Sequence, residues 1–401
     1  MNQSIYQFAK EMEEQLISWR RHFHQFPELS FKEFRTAAFV AQALSDMEGI
    51  KVEKGVGLIT GVVGQLKVGK GPTVALRADM DALPIYEENE TEYRSTHHGV
   101  MHACGHDAHT AILLATAKIL SNLAKEGHMQ GTVRFIFQPA EETPDQKGFS
   151  GSPYLLEAGA YEGVDVAFAL HMCPWLKSGD IQIHDGYSMA NVDEFKATII
   201  GSGGHGGYPE KATDPTWMLG LLLQSLHGIV SRRISALDQA VVSIGEIKAG
   251  TATNIIPSEV YISGTIRSYQ PDVREALEEE IKRAFSVIEP LGGKYNLSFH
   301  RGEPALYNHH HCNLIIKSAA QKLKSGIKVT EAPFGLGGED FGYVTKQLPG
   351  AMFFLGCSLL GELQRELHTP VFDIDESALV LGTAIFVQIA AECGVIKYVG
   401  V

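Results

Sequence analysis

Several short segments hold side chains that could act together. Met101-His102-Ala103-Cys104-Gly105-His106-Asp107-Ala108-His109 sets a thiol and an imidazole two residues apart, in a loop leading into a helix. A Cys thiolate and a His imidazole are both good ligands for a divalent metal. A nucleophilic Cys–His pair is a further reading, and a buried small thiol among capping histidines is the plain structural one. Arg77-Ala78-Asp79-Met80-Asp81-Ala82-Leu83-Pro84 follows a predicted strand. Open α/β sheets bind ligands beyond the carboxyl ends of their strands, so two carboxylates there suit a metal or its support, although a polar turn accounts for them equally well. Gln138-Pro139-Ala140-Glu141-Glu142-Thr143 closes the apolar run Phe135-Ile136-Phe137. Adjacent carboxylates in an extended segment point to opposite sides, so one could hold a metal while the other faces water. In isolation such a pair reads more often as a solvated turn. His171 ends a predicted strand, and His368 lies in the turn Glu366-Leu367-His368-Thr369-Pro370. A histidine at a strand's C-terminal end falls on the edge where ligands bind, although alone it reads as a satisfied core histidine; His368 carries little signal of its own.

Taken together, Cys104, His106, Glu142, His171 and His368 make five ligands of mixed N, O and S type. That is more than one structural site needs. It fits two metals that share a bridging ligand and keep positions open for water. Such a pair lowers the pKa of water and polarises a carbonyl, which leaves Glu141 as the general base. Histidine distribution points the same way. Of 17 histidines, five (His97, His98, His102, His106, His109) fall within a window of 13 residues, where even spacing gives roughly 0.6. Histidine is the commonest metal ligand and the acid/base of neutral pH. One thiolate admits Zn²⁺, while the carboxylate and a flexible dinuclear geometry suit Mn²⁺, Co²⁺ or Ni²⁺.

These groups need a scaffold. Ile5, Phe8, Met12, Leu16 and Trp19 recur at helical spacing and predict one amphipathic helix over 4–25, ended by Pro27. A second helix is expected over 31–47. Apolar, β-rich runs at Ile59–Leu66, Thr73–Ala78, Thr132–Gln138 and Val166–His171, with a helix at Ala108–Lys125 between the second and third, predict an α/β layered domain with a largely parallel sheet. The middle of the chain reads strand, helix, strand, strand, helix, strand: Val192–Ile200, Pro215–Ile234, Val241–Ile247, Val260–Ile266, Pro271–Ile288 and Tyr295–His300. This is the ferredoxin-like order. The expected architecture is therefore a mixed, mostly parallel sheet with helices on both faces (residues 1–188 and 305–401), interrupted by a smaller ferredoxin-like α+β domain (189–304).

Composition narrows the class. The chain has 401 residues, is 44% hydrophobic and has a formal charge of −13. The acidic balance argues against nucleic acid and against a polybasic membrane anchor. Nothing approaches the 18 apolar residues of a membrane span, the first residues lack a secretory apolar stretch, and five cysteines at irregular spacing do not read as a disulfide framework. A cytoplasmic protein is the expectation.

The motifs and their order resemble the dinuclear metal-dependent amidohydrolases of the aminoacylase and carboxypeptidase type, in the branch of hippurate hydrolases, bacterial N-acetyl amino acid deacetylases and plant auxin-conjugate hydrolases. The resemblance runs nearly full length. It begins at Arg20-Arg21-His22-Phe23-His24 and Pro27-Glu28-Leu29-Ser30, and takes in the segments above. It continues through Gly201-Ser202-Gly203-Gly204-His205-Gly206, Asp214-Pro215, Asn254-Ile255-Ile256-Pro257 and Gly264-Thr265-Ile266-Arg267 to Gly337-Gly338-Glu339-Asp340-Phe341 and Leu367-His368-Thr369-Pro370. It implies that Cys104 bridges two metals, most readily Mn²⁺, with His106, Glu142, His171 and His368 completing their shells. Glu141 would take a proton from the nucleophilic water and pass it to the leaving amine. Asp81 would orient a ligand, His205 would stabilise the oxyanion or hold substrate, and Asn254 and Arg267 would grip the amino acid carboxylate. For Arg267 a structural ion pair is an equal reading. The inserted domain would be a lid and a dimer surface, which implies a homodimer or higher homo-oligomer. The implied substrate is an N-acyl amino acid of N-acetyl or N-benzoyl type. A dipeptidase or carboxypeptidase-like metallopeptidase shares the site, and a non-catalytic metal- or peptide-binding protein is the alternative of another class. Two departures, Met172-Cys173 after His171 and the segment Thr143–Pro153 after Glu142, border the expected substrate pocket. His97, His98 and His309-His310-His311 match no catalytic role and read as surface or loop residues.

Overall fold

The computed structural model describes residues 2–323, 326–359, 361 and 365–397. The chain divides into two compact units, one of Met1–Gly186, Tyr307–Phe334 and Asp340–Val401, the other of Tyr187–Leu306 and Gly335–Glu339.

The first unit is built on an eight-stranded sheet. In spatial order its strands are Ile50–Lys54, Val62–Val68, Gly131–Gln138, Thr73–Asp79, Val166–Lys177, Gly350–Ser358, Ile181–Ile183 and Val329–Glu331. The four from Gly131–Gln138 to Gly350–Ser358 run parallel to one another. They are apolar and almost wholly buried, as strands covered on both faces must be. Parallel pairing brings their C-terminal ends to one edge, and two of those ends carry the segments with Asp79 and Asp81 and with Glu141 and Glu142; the strand expected to end at His171 instead continues to Lys177, and His171 lies level with Asp79 because Ala169 pairs with Arg77. Helices His106–Lys125 and Ala378–Glu392 are buried along nearly their whole length in the main core. The short helices Gly151–Glu157 and Phe341–Thr345 pack on each other and on the sheet apart from that core. The unit is thus α/β with helices on both faces. Among the described residues no helix is long and apolar enough to cross a membrane.

The expected single helix over 4–25 is instead two, Asn2–Glu11 and Glu13–Gln25. Met12 separates them with φ −89° and ψ 0°, and its amide bonds only three residues back, to Ala9. Apolar periodicity reports which face is buried, and Ile5, Ala9, Leu16 and Phe23 are all buried, but it does not report a break in the axis. The strands at Ile50–Lys54, Ile181–Ile183 and Val329–Glu331 were not expected, being short or carrying too many exposed positions to give an apolar run.

The second unit holds a four-stranded antiparallel sheet in the order Ala240–Ala249, Glu259–Ser268, Asn191–Ile200, Lys294–Arg301. By chain order this is 2-3-1-4, and with helices Pro215–Arg233 and Pro271–Phe285 it is the ferredoxin-like arrangement. Asp214 caps the first helix, its carboxylate accepting from the Thr216 and Trp217 amides ahead of Pro215 at the first turn. Phe195, Ile199, Leu222, Leu226, Ile262, Leu277 and Ile281 supply a separate core.

Candidate metal centre

Five side chains converge at the carboxyl edge of the parallel strands. Cys104 sits one residue before Gly105, whose φ of +94° turns the chain into the helix that His106 opens. A Cβ at Gly105 would come 2.9 Å from the Cβ of Met172, so the turn requires glycine. His106 Nδ1 lies 2.9 Å from the Asp81 carbonyl oxygen and donates to it. Its Nε2 is left facing Glu142 Oε1 at 3.7 Å. His171 repeats the arrangement: Nδ1 donates to the Met172 carbonyl at 2.8 Å, and Nε2 is 3.4 Å from Cys104 Sγ. His368 Nε2 stands 3.4 Å from the same sulfur and 3.5 Å from Glu142 Oε2. A ring whose second nitrogen is committed to a carbonyl is fixed in the tautomer that metal ligation needs.

The two glutamates do not lie in the extended segment that the sequence suggests. Ala140 adopts φ +53°, a left-handed conformation that costs an L-residue roughly 1–2 kcal/mol. Its amide is held by Glu33 Oε1 at 2.8 Å, and its carbonyl accepts from Gly151 at 2.7 Å. Past that turn the Glu141 and Glu142 amides donate to the two oxygens of Asp81, at 3.1 and 3.0 Å. Both carboxylates therefore reach His106 Nε2, Glu142 at 3.7 Å and Glu141 at 4.0 Å. His368 is the other left-handed residue here, with φ +60°, and its amide is tied to the Ala103 carbonyl at 2.8 Å. Strain held at a site by several bonds is a mark of function.

Among the described residues five sets of donor atoms each lie within 4.8 Å of one another; Glu141 is in two of them, with His106 and Glu142 and with Glu339 and Asp340, and two others are Cys104, His106 and His171, and Cys104, Glu142 and His368. Cys104 belongs to both. His106 Nε2 and Glu142 Oε1 are buried without a hydrogen-bond partner, a costly state for polar atoms that a coordinated cation would relieve. The electrostatics agree. Burial works against charge on His106, yet Asp79, Asp81 and Glu142 raise its pKa to about 10. Burial lifts Glu142 to about 7 against the opposing His106 and Cys104, with Asp81 and Asp79 adding to the rise. Burial first, then Glu142, Glu141 and Asp79, pushes the Cys104 thiol well above its ordinary range. Crowded acidic groups around a thiol and three imidazoles are the donor set of a divalent cation, and the residues fit two. Asp79 and His109 also come close to His106, but both are committed. His109 Nδ1 donates to Asp79 at 2.6 Å and its Nε2 accepts from the Met172 amide at 2.9 Å, while Arg77 binds the other Asp79 oxygen at 2.6 Å.

Asp81 accepts from Glu141, Glu142 and Ser30, the last at 2.6 Å. In Asp81→Asn one of these donors loses its acceptor. The expected result is a loss of about 10–100-fold in metal affinity and kcat/KM. Metal titration alongside kinetics checks it, and wild-type values for both would show that Asp81 does not hold the pair.

His205, Asn254 and Arg267 all lie in the second unit. His205 forms a two-residue strand with Ile255 opposite, and the Gly206 amide bonds the Asn254 carbonyl at 2.8 Å, which places Asn254 next to His205 along the backbone pairing. The Gly207 amide donates to His205 Nδ1 at 2.9 Å, so a neutral ring carries its proton on Nε2 and is a donor there. Asn254 is exposed. Arg267 is half-buried, and its Nη1 donates to the Thr265 hydroxyl and the Ile266 carbonyl.

Sequence reasoning missed the buried charges beneath the centre. Arg77 bridges Asp79 and Asp340, and Gln138 and Ser150 also bind Asp340. Arg20 and His24 both bind Asp107, the residue after His106. An arginine inside the apolar strand Thr73–Asp79 was the available signal for the first group. His102 and His109 are buried, while His98, His310 and His311 are exposed.

Comparison with known proteins places this geometry. Residues 75–392 match the model of peptidase family M20/M25/M40. N-acetyl-L-cysteine deacetylase of Bacillus subtilis is 38% identical over 92% of this chain and 86% of its own. Thermostable carboxypeptidase 1 of Saccharolobus solfataricus is 38% identical over 93% of this chain and 94% of its own. The crystal structure of the Bacillus subtilis YXEP protein, a dinuclear metal binding peptidase from the M20 family, superimposes with a TM-score of 0.81 at 34% identity, over 95% of this chain and 98% of that one. The chain thus belongs to peptidase family M20/M25/M40 and is a hydrolase of linear amide C–N bonds.

Proposed function

We propose that the enzyme cleaves the amide of N-acyl amino acids, of N-acetyl or N-benzoyl type, to a free amino acid and a carboxylate. The observation that carries this reading is the pair of donor sets sharing Cys104, with Glu141 beside them. The relative named a deacetylase of N-acetyl-L-cysteine supports the substrate class. Cys104, His106, Glu142, His171 and His368 hold two divalent ions, Mn²⁺ by first choice and Zn²⁺, Co²⁺ or Ni²⁺ otherwise. When bound, such ions polarise the scissile carbonyl and make water acidic enough to attack at neutral pH. Glu141 accepts the proton of the attacking water and delivers it to the leaving nitrogen. Asp81 keeps Glu141 and Glu142 in place through their amides. His205 Nε2–H donates to the oxygen on which charge develops, and Asn254 and Arg267 receive the substrate carboxylate.

The residues 189–304 serve in this reading as lid and dimerisation domain. Trp217 and Leu221 are exposed on one helix, and Ala240–Ala249 is an edge strand, features that favour a homodimer. Solution mass tests it. All five cysteines are unpaired, which suits a cytoplasmic enzyme.

The test is a panel of N-acetyl amino acids, N-benzoylglycine and dipeptides, run with each metal restored to protein of known metal content. Turnover of the N-acyl amino acids with little on dipeptides is expected. The converse would establish the second reading, a metallopeptidase, which the relative named a carboxypeptidase favours. No turnover of any of them by metal-replete protein would favour a non-catalytic scaffold.

A further inference from the structure

An aromatic group in the first unit takes no part in the chemistry above. Phe354 stands opposite His171 on the neighbouring parallel strand, so both side chains leave the same face of the sheet. Their rings are 5.4 Å apart. Phe334 stacks on Phe354 with centroids 4.2 Å apart and planes 20° apart. Trp175 follows on the same strand, within the stretch where its pairing register shifts, and meets Phe354 edge-on at 5.6 Å. Phe354 is 2% exposed, whereas Trp175 is 48% exposed. A run of rings therefore starts at an imidazole whose Nε2 faces Cys104 and ends in an open indole.

The half of a substrate that this shelf takes follows from the place of Glu141 and from charge. The leaving nitrogen must reach Glu141, which lies on the His106 side, while the shelf leaves from His171. The amino acid half also carries a carboxylate, and the electron-rich face of an aromatic ring disfavours an anion laid on it. The uncharged half fits. We propose that Trp175 and Phe334, held in place by the buried Phe354, receive the acyl group of the substrate and favour aromatic acyl groups over acetyl. This rests on the N-acyl amino acid reading above.

The experiment compares metal-replete wild type, Trp175→Ala and Trp175→Phe. It measures kcat/KM for N-benzoylglycine against N-acetylglycine, which varies the acyl group alone, and for N-acetylleucine against N-acetylglycine, which varies the amino acid alone. Wild type should prefer the benzoyl substrate. Trp175→Ala should lower the benzoyl-to-acetyl ratio about tenfold, the scale of one apolar contact in a specificity pocket, and Trp175→Phe should retain most of it. Phe334→Ala should move the ratio in the same direction. An unchanged ratio in both alanine variants, a wild-type preference for acetyl, or a shift confined to the leucine-to-glycine ratio would each overturn the assignment. Benzoate binding by calorimetry, expected to weaken in Trp175→Ala, reads the shelf without turnover. If wild type hydrolyses neither acyl substrate, the proposed function fails, and equal benzoate affinity in wild type and variant then removes the shelf as well.

Discussion

Glu141→Gln is expected to bind its full complement of metal and to lose almost all turnover. A general base contributes about 10²–10⁴-fold, and here one group both takes the proton from water and returns it to the leaving nitrogen, so a fall in kcat of about 10³-fold or more is expected. Glutamine keeps the shape and the backbone bond to Asp81 and removes only the basic oxygen. Glu142→Gln is the control, because the neighbouring residues should fail in different ways. Glu142 joins a donor set with Cys104 and His368, and its Oε1 is buried without a partner, so its amide should lose metal and activity together. Elemental analysis beside steady-state kinetics separates the two. Near-normal kcat in Glu141→Gln, or metal loss equal to that of Glu142→Gln, would remove Glu141 from the role of base.

Cys104→Ala should cost more in structure. Cys104 is the one donor common to both sets, and its sulfur is 3.4 Å from both His171 Nε2 and His368 Nε2. Without it each set drops to two donors and the two lose their shared atom. Metal content should fall well below two ions per chain, and kcat/KM should drop by about three decades, since metal activation of water and carbonyl is worth several kcal/mol. The protein should remain folded. Cys104 lies outside the main core cluster, and its neighbours Ala103 and Gly105 are held by the His368 amide and by the helix start. Circular dichroism controls for folding. Wild-type metal content in this variant would show that the sulfur bridges nothing.

Much of the site was legible because it is local. Cys104-Gly105-His106-Asp107 and Ala140-Glu141-Glu142 each lie within a few residues, at the end of a strand or the start of a helix, and apolar runs mark those elements. The fold class was legible too, since strand and helix periods change where the antiparallel sheet begins. The buried ion pairs were not. Arg20 reaches Asp107, 87 residues away, and Arg77 reaches Asp340, 263 residues away. A charge signals its burial only through partners that the chain brings from elsewhere.

The sequence by itself determined which residue types are present, the fold class and the segments that could ligate a metal. Those depend on periodicity and on chemistry carried by neighbours along the chain. Tertiary structure alone decided which segments meet. His171 and His368 reach Cys104 from 67 and 264 residues away; His171 has only its predicted strand end as a mark, and His368 lies in a turn with little mark at all. Parallel strands place their C-terminal ends on one edge, and that register brings the donors together. Tertiary structure also decided how Glu141 and Glu142 face. The extended backbone that local sequence suggests gives way to a left-handed Ala140, because Glu33, Gly151 and Asp81 together supply enough hydrogen bonds to hold a conformation the residue would not adopt alone.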